Sequence, residues 1–410
     1  MENRYFIKKC FLLPSDPVGS LKETFILDLG NPSITYVESL KSPSISMTIT
    51  FIDVDGVVSR EGLTAGESID LSIKVPGFPD FEIKPDKHNM VLNGISDVTT
   101  FANKQEATLE FVTKESIQNE TARITQKFHG TPPETCREIL KSSERGIKTN
   151  KTLETDKSGN RYPFCGNFKR PFEIIQWLCP KTIPDKGYGF VFYETREGYF
   201  FKSIDKLLEG ESIVYKKPEI ATDDDFKIIE CQVNSTNDIG MNMRMGMYAN
   251  KTIYVNLDTS KGTTGTVEDF KISSLGLKKS PKIPDNLQEN PSRLMFRLLD
   301  TACMQKGSKK EDQLDNKELA IYQNKAYARN NLLLSQSVSI SIPFNPELSV
   351  GKMIEIQLPF KKVEGSDTAR YGDDTTNDIS GKYLIFELKH IIGGGKAHTF
   401  LQLIRDTFTA

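Results

Sequence analysis

The sequence predicts an α+β protein in which two related antiparallel β-barrels carry inserted α/β segments. Three observations lead there. A strongly alternating strand pattern occurs near the start of the chain and again near its end, the same turn-and-strand motif follows each copy, and helical periodicity is confined to the residues between them.

Residues 44–51 read SISMTITF, which sets Ile45, Met47, Ile49 and Phe51 on one face of a strand and Ser44, Ser46, Thr48 and Thr50 on the other. Residues 337–344 read SVSISIPF and match them position by position, with Val338, Ile340 and Ile342 opposed to Ser337, Ser339 and Ser341. Next come LTAGESIDL at 63–71 and LSVGKMIEI at 348–356, a turn and strand sharing L-x-x-G-x-x-I-[DE]-[LI]. A hairpin ends each copy. Its arms are 90–100 and 106–112 around the polar turn Ala102-Asn103-Lys104-Gln105, then 383–392 and 398–405 around Gly393-Gly394-Gly395-Lys396. Glycine there supplies the positive φ that a tight turn requires. The two barrels are thus expected at about 44–113 and 337–406, with short contributions from 1–43 and about 226–258.

Helical signals fill the middle. Thr131-Pro132-Pro133-Glu134 combines a capping residue, a proline in the first turn and a Glu three residues on, so a helix is expected through Leu140. Arg170-Pro171-Phe172-Glu173 opens a second, with Phe172, Ile175 and Cys179 on one stripe and Trp177 beside it. The aromatic runs 188–193 and 198–202 form a hairpin across a charged turn. Asn290-Pro291 caps an expected helix to about Met304, 307–315 is a loop, and 317–334 is a longer helix leading into the second strand copy. The expected division is a first barrel in 1–115, an α/β insert in 116–211, a second barrel in 212–258 with 333–410, and a second, mostly helical insert in 259–332.

Composition narrows the function. A chain of 410 residues is long enough for two to four domains. Its 53 basic and 55 acidic residues nearly cancel, so no net field holds it on nucleic acid or on an anionic membrane. Apolar stretches such as 10–13 and 383–386 fall far short of the roughly 20 residues that span a bilayer. The start, Met1-Glu2-Asn3-Arg4-Tyr5, is not followed by the apolar core of a secretory signal, so folding in a cytoplasm is expected. The scattered Cys10, Cys136, Cys165, Cys179, Cys231 and Cys303 form no CxxC pair and are expected as reduced, mostly buried thiols.

No residue type falls into a catalytic or metal-binding pattern. His88, His129, His390 and His398 lack HExxH or HxH spacing, and His390 and His398 are placed to face each other across the last hairpin. Gly395-Lys396 lacks the remaining residues of a phosphate loop, and a strand follows it. The acidic runs Asp223-Asp224-Asp225 and Asp373-Asp374 lack calcium-loop spacing and read as solvated loops. Met241, Met243, Met245 and Met247 recur at period two, as core packing or as an adaptable apolar contact surface. Sequons at Asn119, Asn150, Asn234 and Asn250 carry no weight without a secretory signal. No catalytic, cofactor-binding or metal-ligating residue is assigned, although paired carboxylates set by the fold are not legible in a sequence.

In the second copy, the run IPFNPELSVGKMI at 342–354, then Gly381-Lys382-Tyr383-Leu384-Ile385 and Leu401-Gln402-Leu403-Ile404-Arg405-Asp406, resembles the baseplate central hub proteins of T-even-like contractile-tailed phages. More remotely it is similar to the hub region of type VI secretion spike proteins. The helix from 131, the helix from 170, the 190–193 strand and the 317–334 helix follow the family's order, and 205–290 matches least. The resemblance implies a homotrimer whose two tail-tube-like barrels per subunit make a ring of six. Such a ring joins a hexameric tail tube to a trimeric central spike and leaves a channel for the genome. It implies tail tube protein, central spike protein, tape measure protein and baseplate wedge proteins as partners, with DNA only transiently in the channel and no stable membrane association. It further implies a place in the virion's tail baseplate after assembly in the host cytoplasm, and no enzymatic activity. Two other functions stay open from the residues alone: a tail-associated cell-wall or glycan hydrolase with its site in 116–211, and a receptor-binding tail protein.

Overall fold

The computed structural model describes residues 5–13, 24–25, 32–53, 58, 63, 65–101, 104–142, 146–218, 224–236, 238–256, 265–275, 289–299, 316–358 and 379–406. Among them, strands dominate, and fourteen lie in one large sheet that is antiparallel except at one pair. In the first repeat, Ser33–Ser39, Ser46–Asp53, Lys104–Thr113, Met90–Phe101, Ser68–Lys74 and Phe6–Leu13 lie side by side in that order. In the second, Glu230–Thr236, Gln336–Pro343, Lys396–Arg405, Gly381–Gly393, Met353–Gln357 and Ser212–Lys216 do the same. The two orders correspond strand for strand. The last pair alone differs, being antiparallel in the first repeat and parallel in the second.

Hydrogen bonds fix the correspondence residue by residue. Gly66 donates to the Leu92 carbonyl at 2.8 Å and Leu92 to that of Glu67 at 2.8 Å; Gly351 donates to Ile385 at 3.1 Å and Ile385 to Lys352 at 3.0 Å. A bulge follows each, between Leu92 and Gly94 and between Ile385 and Glu387. Leu92 is therefore the counterpart of Ile385. Through Phe111 and Leu403 across the hairpins, Met47 is the counterpart of Val338. The match expected from sequence, Ser44 with Ser337, is thus two residues out of register: Ser46 occupies that place. Because side chains alternate with period two, the slip leaves every inward and outward assignment intact.

The inward set is as the alternation demands. Ile45, Met47, Ile49 and Phe51 are buried, as are Val338, Ile340 and Ile342, and both repeats feed one continuous apolar core. The last hairpin turns on Gly394 and Gly395 alone, at φ +59° and +77°, the left-handed pair of a two-residue type I′ turn. Gly393 and Lys396, expected in the turn, form the last pair of the ladder. In the first hairpin the ladder runs out to Phe101 and Lys104, so Lys104 and Gln105, expected in the turn, are paired; Ala102 and Asn103 lie outside the described residues.

Around residues 114–208 a second core forms. Helix Pro132–Lys141 starts with the expected capping box, Thr131 N donating to Glu134 Oε2 at 2.9 Å. Helix Pro171–Leu178 buries Phe172 and Ile175, and Asn119 caps it, Phe172 N donating to Asn119 Oδ1 at 2.8 Å. The aromatic hairpin is Phe190–Thr195 with Gly198–Ser203, and Leu153–Thr155 pairs parallel to its second arm.

The helix expected after Asn290-Pro291 is instead the strand Arg293–Leu299. It pairs parallel with Ala249–Asn256, which pairs antiparallel with Gly265–Lys271. The proline and the apolar run gave a helical signal, but Met295 is buried while Leu294, Phe296 and Leu298 project together from the other face, a period of two. Ala249–Asn256, expected in the second barrel, belongs to this three-stranded sheet. In 259–332 the described residues hold two strands, a 3-10 turn at Ile272–Leu275 and the helix Asn316–Leu333. The expected loop 307–315 lies outside the described residues.

Candidate functional site

The seam between the two repeats gathers rings and polar side chains from both repeats and from the insert. Ser33–Ser39 of the first lies antiparallel on Gly381–Gly393 of the second, in a register running from Ile34 opposite Ile392 to Ser39 opposite Glu387. One strand thus gives its inner half to Met353–Gln357 and its outer half to the other repeat. Four rings fill the seam. His390 stacks on Tyr36 at 5.9 Å between centroids and meets Phe81 at 5.5 Å and Phe344 at 4.7 Å. Burial, with a smaller push from Arg196, lowers the His390 pKa to about 3, so the ring is neutral and shares a hydrogen bond with Thr399 Oγ1 at 2.9 Å. His398 does not face it: the register sets His390 opposite Thr399 and His398 opposite Ile391, on the other side of the sheet.

Glu38 is the polar centre of the seam. Its carboxylate accepts from Tyr36 Oη at 2.8 Å, Arg196 N at 3.0 Å and Val350 N at 3.0 Å, so it binds the first repeat, the insert and the second repeat together. Burial raises its pKa, and those three donors oppose the rise. Arg196 sits over Phe81 at 4.8 Å and donates to the Pro346 carbonyl at 2.7 Å.

Deeper toward the insert lies a sealed ion-pair network. Glu194, 0% exposed, accepts from Lys151 Nζ at 2.5 Å, Thr113 Oγ1 at 3.0 Å and Ile45 N at 3.1 Å. Lys151 also pairs with Glu115 at 3.0 Å, which accepts from Thr149 at 2.6 Å. Burial pushes the Glu194 carboxyl up to about 7 against the pull of Lys151. All three charged groups are buried, so the network fastens the insert to the first repeat at Ile45 and Thr113 rather than facing a cleft. Sequence reasoning missed Glu38 and Glu194. The signal was a lone acid on the inward phase of an apolar strand: Ile34, Tyr36, Glu38 in one, and Phe192, Glu194 in the other.

The opposite face of the sheet is polar and open. A shallow groove of about 290 Å³ runs over the second repeat between Gln232, Ser339, Ser341, Lys389 and Gln402. The matching positions of the first repeat are Thr35, Thr48, Thr50, Ser96 and Glu110, where Thr50 and Thr108 share a hydrogen bond at 2.9 Å and Ser96 donates to Glu110 at 2.7 Å. Hydroxyl and amide side chains recur at matching positions of the two repeats, with Lys389 and Glu110 among them.

The remaining candidates disperse. Cys10, Cys136 and Cys179 are buried thiols, Cys231 is half-buried, Cys165 is exposed, and Cys303 lies outside the described residues. Asp224 accepts the Phe226 N–H at 2.9 Å in a loop, and Asp373 and Asp374 lie outside the described residues. Among the described residues, no three His, Cys, Asp or Glu side chains gather to hold a metal ion, and no helix is long and apolar enough to cross a membrane. The methionines do not line a strand: Met241, 52% exposed, sits in the short helix Ile239–Arg244, while Met247 beyond it is buried.

No family model matches the chain. No curated protein sequence matches it either. Solved structures do. The 43 kDa tail protein of prophage MuSo2 from Shewanella oneidensis aligns with a TM-score of 0.56 at 8% identity, over 98% of this chain and 99% of that one. The tail protein from Neisseria meningitidis MC58 aligns with a TM-score of 0.55 at 8% identity, over 99% and 98%. The E. coli c3393 protein, described as a type VI secretion component with structural similarity to T4 bacteriophage tail proteins, aligns with a TM-score of 0.48 at 10% identity, over 99% of this chain and 78% of that one. Across nearly its whole length, this chain has the fold of phage tail proteins.

Proposed function

We propose that the chain is the structural hub of a phage tail baseplate. In this proposal two tube-like antiparallel β-barrels per chain assemble as a homotrimer into a pseudo-sixfold ring. The ring joins a hexameric tail tube to a trimeric central spike and leaves a channel for the genome. The observation that carries it is the repeated strand order, joined edge to edge within one chain through Ser33–Ser39 and Gly381–Gly393. Three chains with two like modules each give near-sixfold symmetry on a threefold axis, so one face can meet a hexamer and the other a trimer.

The barrels are drawn from 1–115 and from 212–258 with 333–410, and the inserts from 116–211 and 259–332, with Ala249–Asn256 pairing across the last boundary. The small polar residues of the open sheet face suit a channel that DNA crosses without stopping. Partners on this proposal are tail tube, central spike, tape measure and baseplate wedge proteins, in the virion.

Mass in solution is the direct test: a trimer, alone or on mixing with the spike protein, is expected, and a chain that stays monomeric with its spike would sink the proposal. A tail-associated hydrolase has one observation in its favour, the Glu194 carboxyl raised to about 7 within the insert. Its complete burial weighs against that role. Incubation with cell walls separates the two, since turnover lost in Glu194→Gln would support the enzyme. Binding of the isolated chain to host cells would instead support a receptor-binding tail protein.

A further inference from the structure

Two strand edges correspond to the two sides of the internal seam and, among the described residues, carry no partner strand. Glu230–Thr236 holds in the second repeat the place that Ser33–Ser39 holds in the first, yet among the described residues it pairs on one side only, with Gln336–Pro343. Residues 94–101 hold the place of 387–393, whose outer edge carries Ser33–Ser39; they too pair on one side only, with Lys104–Thr113. We infer that these two edges pair with each other between copies, so that Glu230–Thr236 of one chain adds antiparallel to residues 94–101 of the next in the register of the internal seam. The inference rests on the trimeric hub proposed above and specifies which strands close its ring.

The register follows from the correspondence of the repeats. Ile34 faces Ile392 and Thr35 faces Ile391 within the chain. Cys231 and Gln232 are the counterparts of Ile34 and Thr35, through Ile340 and Ser339 in one ladder and Ile49 and Thr48 in the other. Thr100 and Thr99 are the counterparts of Ile392 and Ile391, counted from the hairpin ends. Between copies, Cys231 therefore faces Thr100, and Gln232 faces Thr99.

Two independent features of the edges agree. Each departs from its counterpart by one extra residue at the same level: the ladder of the second repeat skips between Val233 and Ser235, and that of the first between Ser96 and Thr99. Either bulge alone would throw the pairing out by one residue and turn its side chains to the wrong face. Together they cancel, setting Val233 against Val98, Asn234 against Asp97 and Ser235 against Ser96. The second feature is apolar exposure. Val233 is 37% and Val98 47% exposed, where their counterparts in the internal seam, Tyr36 and His390, are buried against each other. Unpaired edges with exposed β-branched residues invite strand addition, and here the complementary edge is on the same chain. The contact is head-to-tail, so a rotation that closes produces a ring in which internal and intermolecular seams alternate.

Native Cys231 provides the test. Residues opposite each other in antiparallel strands have Cα atoms about 4.5 to 5.5 Å apart, within the roughly 4.4 to 6.8 Å that a disulfide bridges. Under mild oxidation, Thr100→Cys is expected to give reducible covalent dimers and trimers on a denaturing gel, absent from wild type and from Thr100→Cys with Cys231→Ser. Val98→Cys with Val233→Cys, in the Cys231→Ser background, should link in the same way. Both substituted edges lie at the surface, and an unchanged melting temperature under reducing conditions confirms the fold. A trimer by mass in which neither pair links above its control overturns the strand pairing and leaves the hub standing. A chain that neither trimerises nor links overturns both.

Discussion

Glu38 accepts the backbone N–H of Val350 at 3.0 Å, from a residue 312 positions further along the chain. Its three donors come from the first repeat, the first insert and the second repeat. Removing it should therefore loosen the seam as a whole. Glu38→Ala orphans the Tyr36 hydroxyl and the N–H groups of Arg196 and Val350, and each buried donor left unpaired costs about 1 to 3 kcal/mol. Urea unfolding should show a lower midpoint and an unfolding free energy reduced by at least about 3 kcal/mol. Glu38→Gln keeps the oxygen facing Tyr36 and Arg196 but turns an amide N–H toward that of Val350, so its loss should be smaller. Equal losses in the two variants would refute this division of labour.

The seam also marks the limit of what the sequence discloses. Alternation at Met47, Ile49 and Phe51 is legible because a half-buried strand has to alternate. The same period hid a two-residue slip, since Ser44 and Ser46 present the same face and only the bulges after Leu92 and Ile385 distinguish them. Arg293–Leu299 resembles a helix in sequence for a related reason: its outward Leu294, Phe296 and Leu298 carry as much apolar character as its inward face. Glu38 and Glu194 are not legible as buried groups because an isolated acid on a strand is ordinarily solvated. What buries them are donors from residues remote in sequence, which no local pattern encodes.

The buried titrating groups pull stability in opposite directions as pH changes. His390, lowered to about 3 in the fold and near 6.5 when unfolded, takes up its proton mainly in the unfolded chain between those values. Its contribution is complete above about 6.5 and is lost as pH falls toward 3. His88, lowered to about 4 by burial, acts in the same sense. Glu194, raised to about 7 from 4.5, is the reverse: it holds its proton in the fold, so stability falls as pH rises through that window. His390→Phe should flatten the acid limb of urea midpoint against pH, and Glu194→Gln should remove the decline between about 4.5 and 7. An acid limb unchanged in His390→Phe would mean the ring does not titrate as its burial demands.

Two glycines at positive φ should respond unequally to alanine. Gly351, at φ +86°, lies against buried Tyr193, whose hydroxyl a Cβ would meet at 2.2 Å. Gly394, at φ +59°, has nothing within 4 Å of a Cβ. Gly394→Ala should cost about 1 to 2 kcal/mol, the left-handed penalty alone. Gly351→Ala adds a displacement of Tyr193 beneath the seam, so its melting temperature should fall clearly further. Comparable melting temperatures would show that Tyr193 yields without loss.

Arg329 offers the sharpest test of how helix Asn316–Leu333 is held. Its guanidinium reaches Asp205 through Nε at 3.0 Å and Nη2 at 2.8 Å, and Asp406 through Nη1 at 2.5 Å. It thus connects the helix to the first insert and to the end of the last strand. Asp406 is buried, so Arg329→Met leaves a carboxylate without its cation, a change that costs about 3 to 5 kcal/mol when a buried pair is broken. Adding Asp406→Asn to Arg329→Met removes the stranded charge and should restore part of the loss, giving a double-mutant coupling of about 1 kcal/mol or more. Amide exchange should rise along Asn316–Leu333 in the single variant before it rises in strand Lys396–Arg405, because the strand has ladder partners on both sides and the helix is held by side-chain contacts alone, this one among them. Additive losses, or exchange that rises equally in both elements, would mean that apolar packing rather than this ion pair secures the helix.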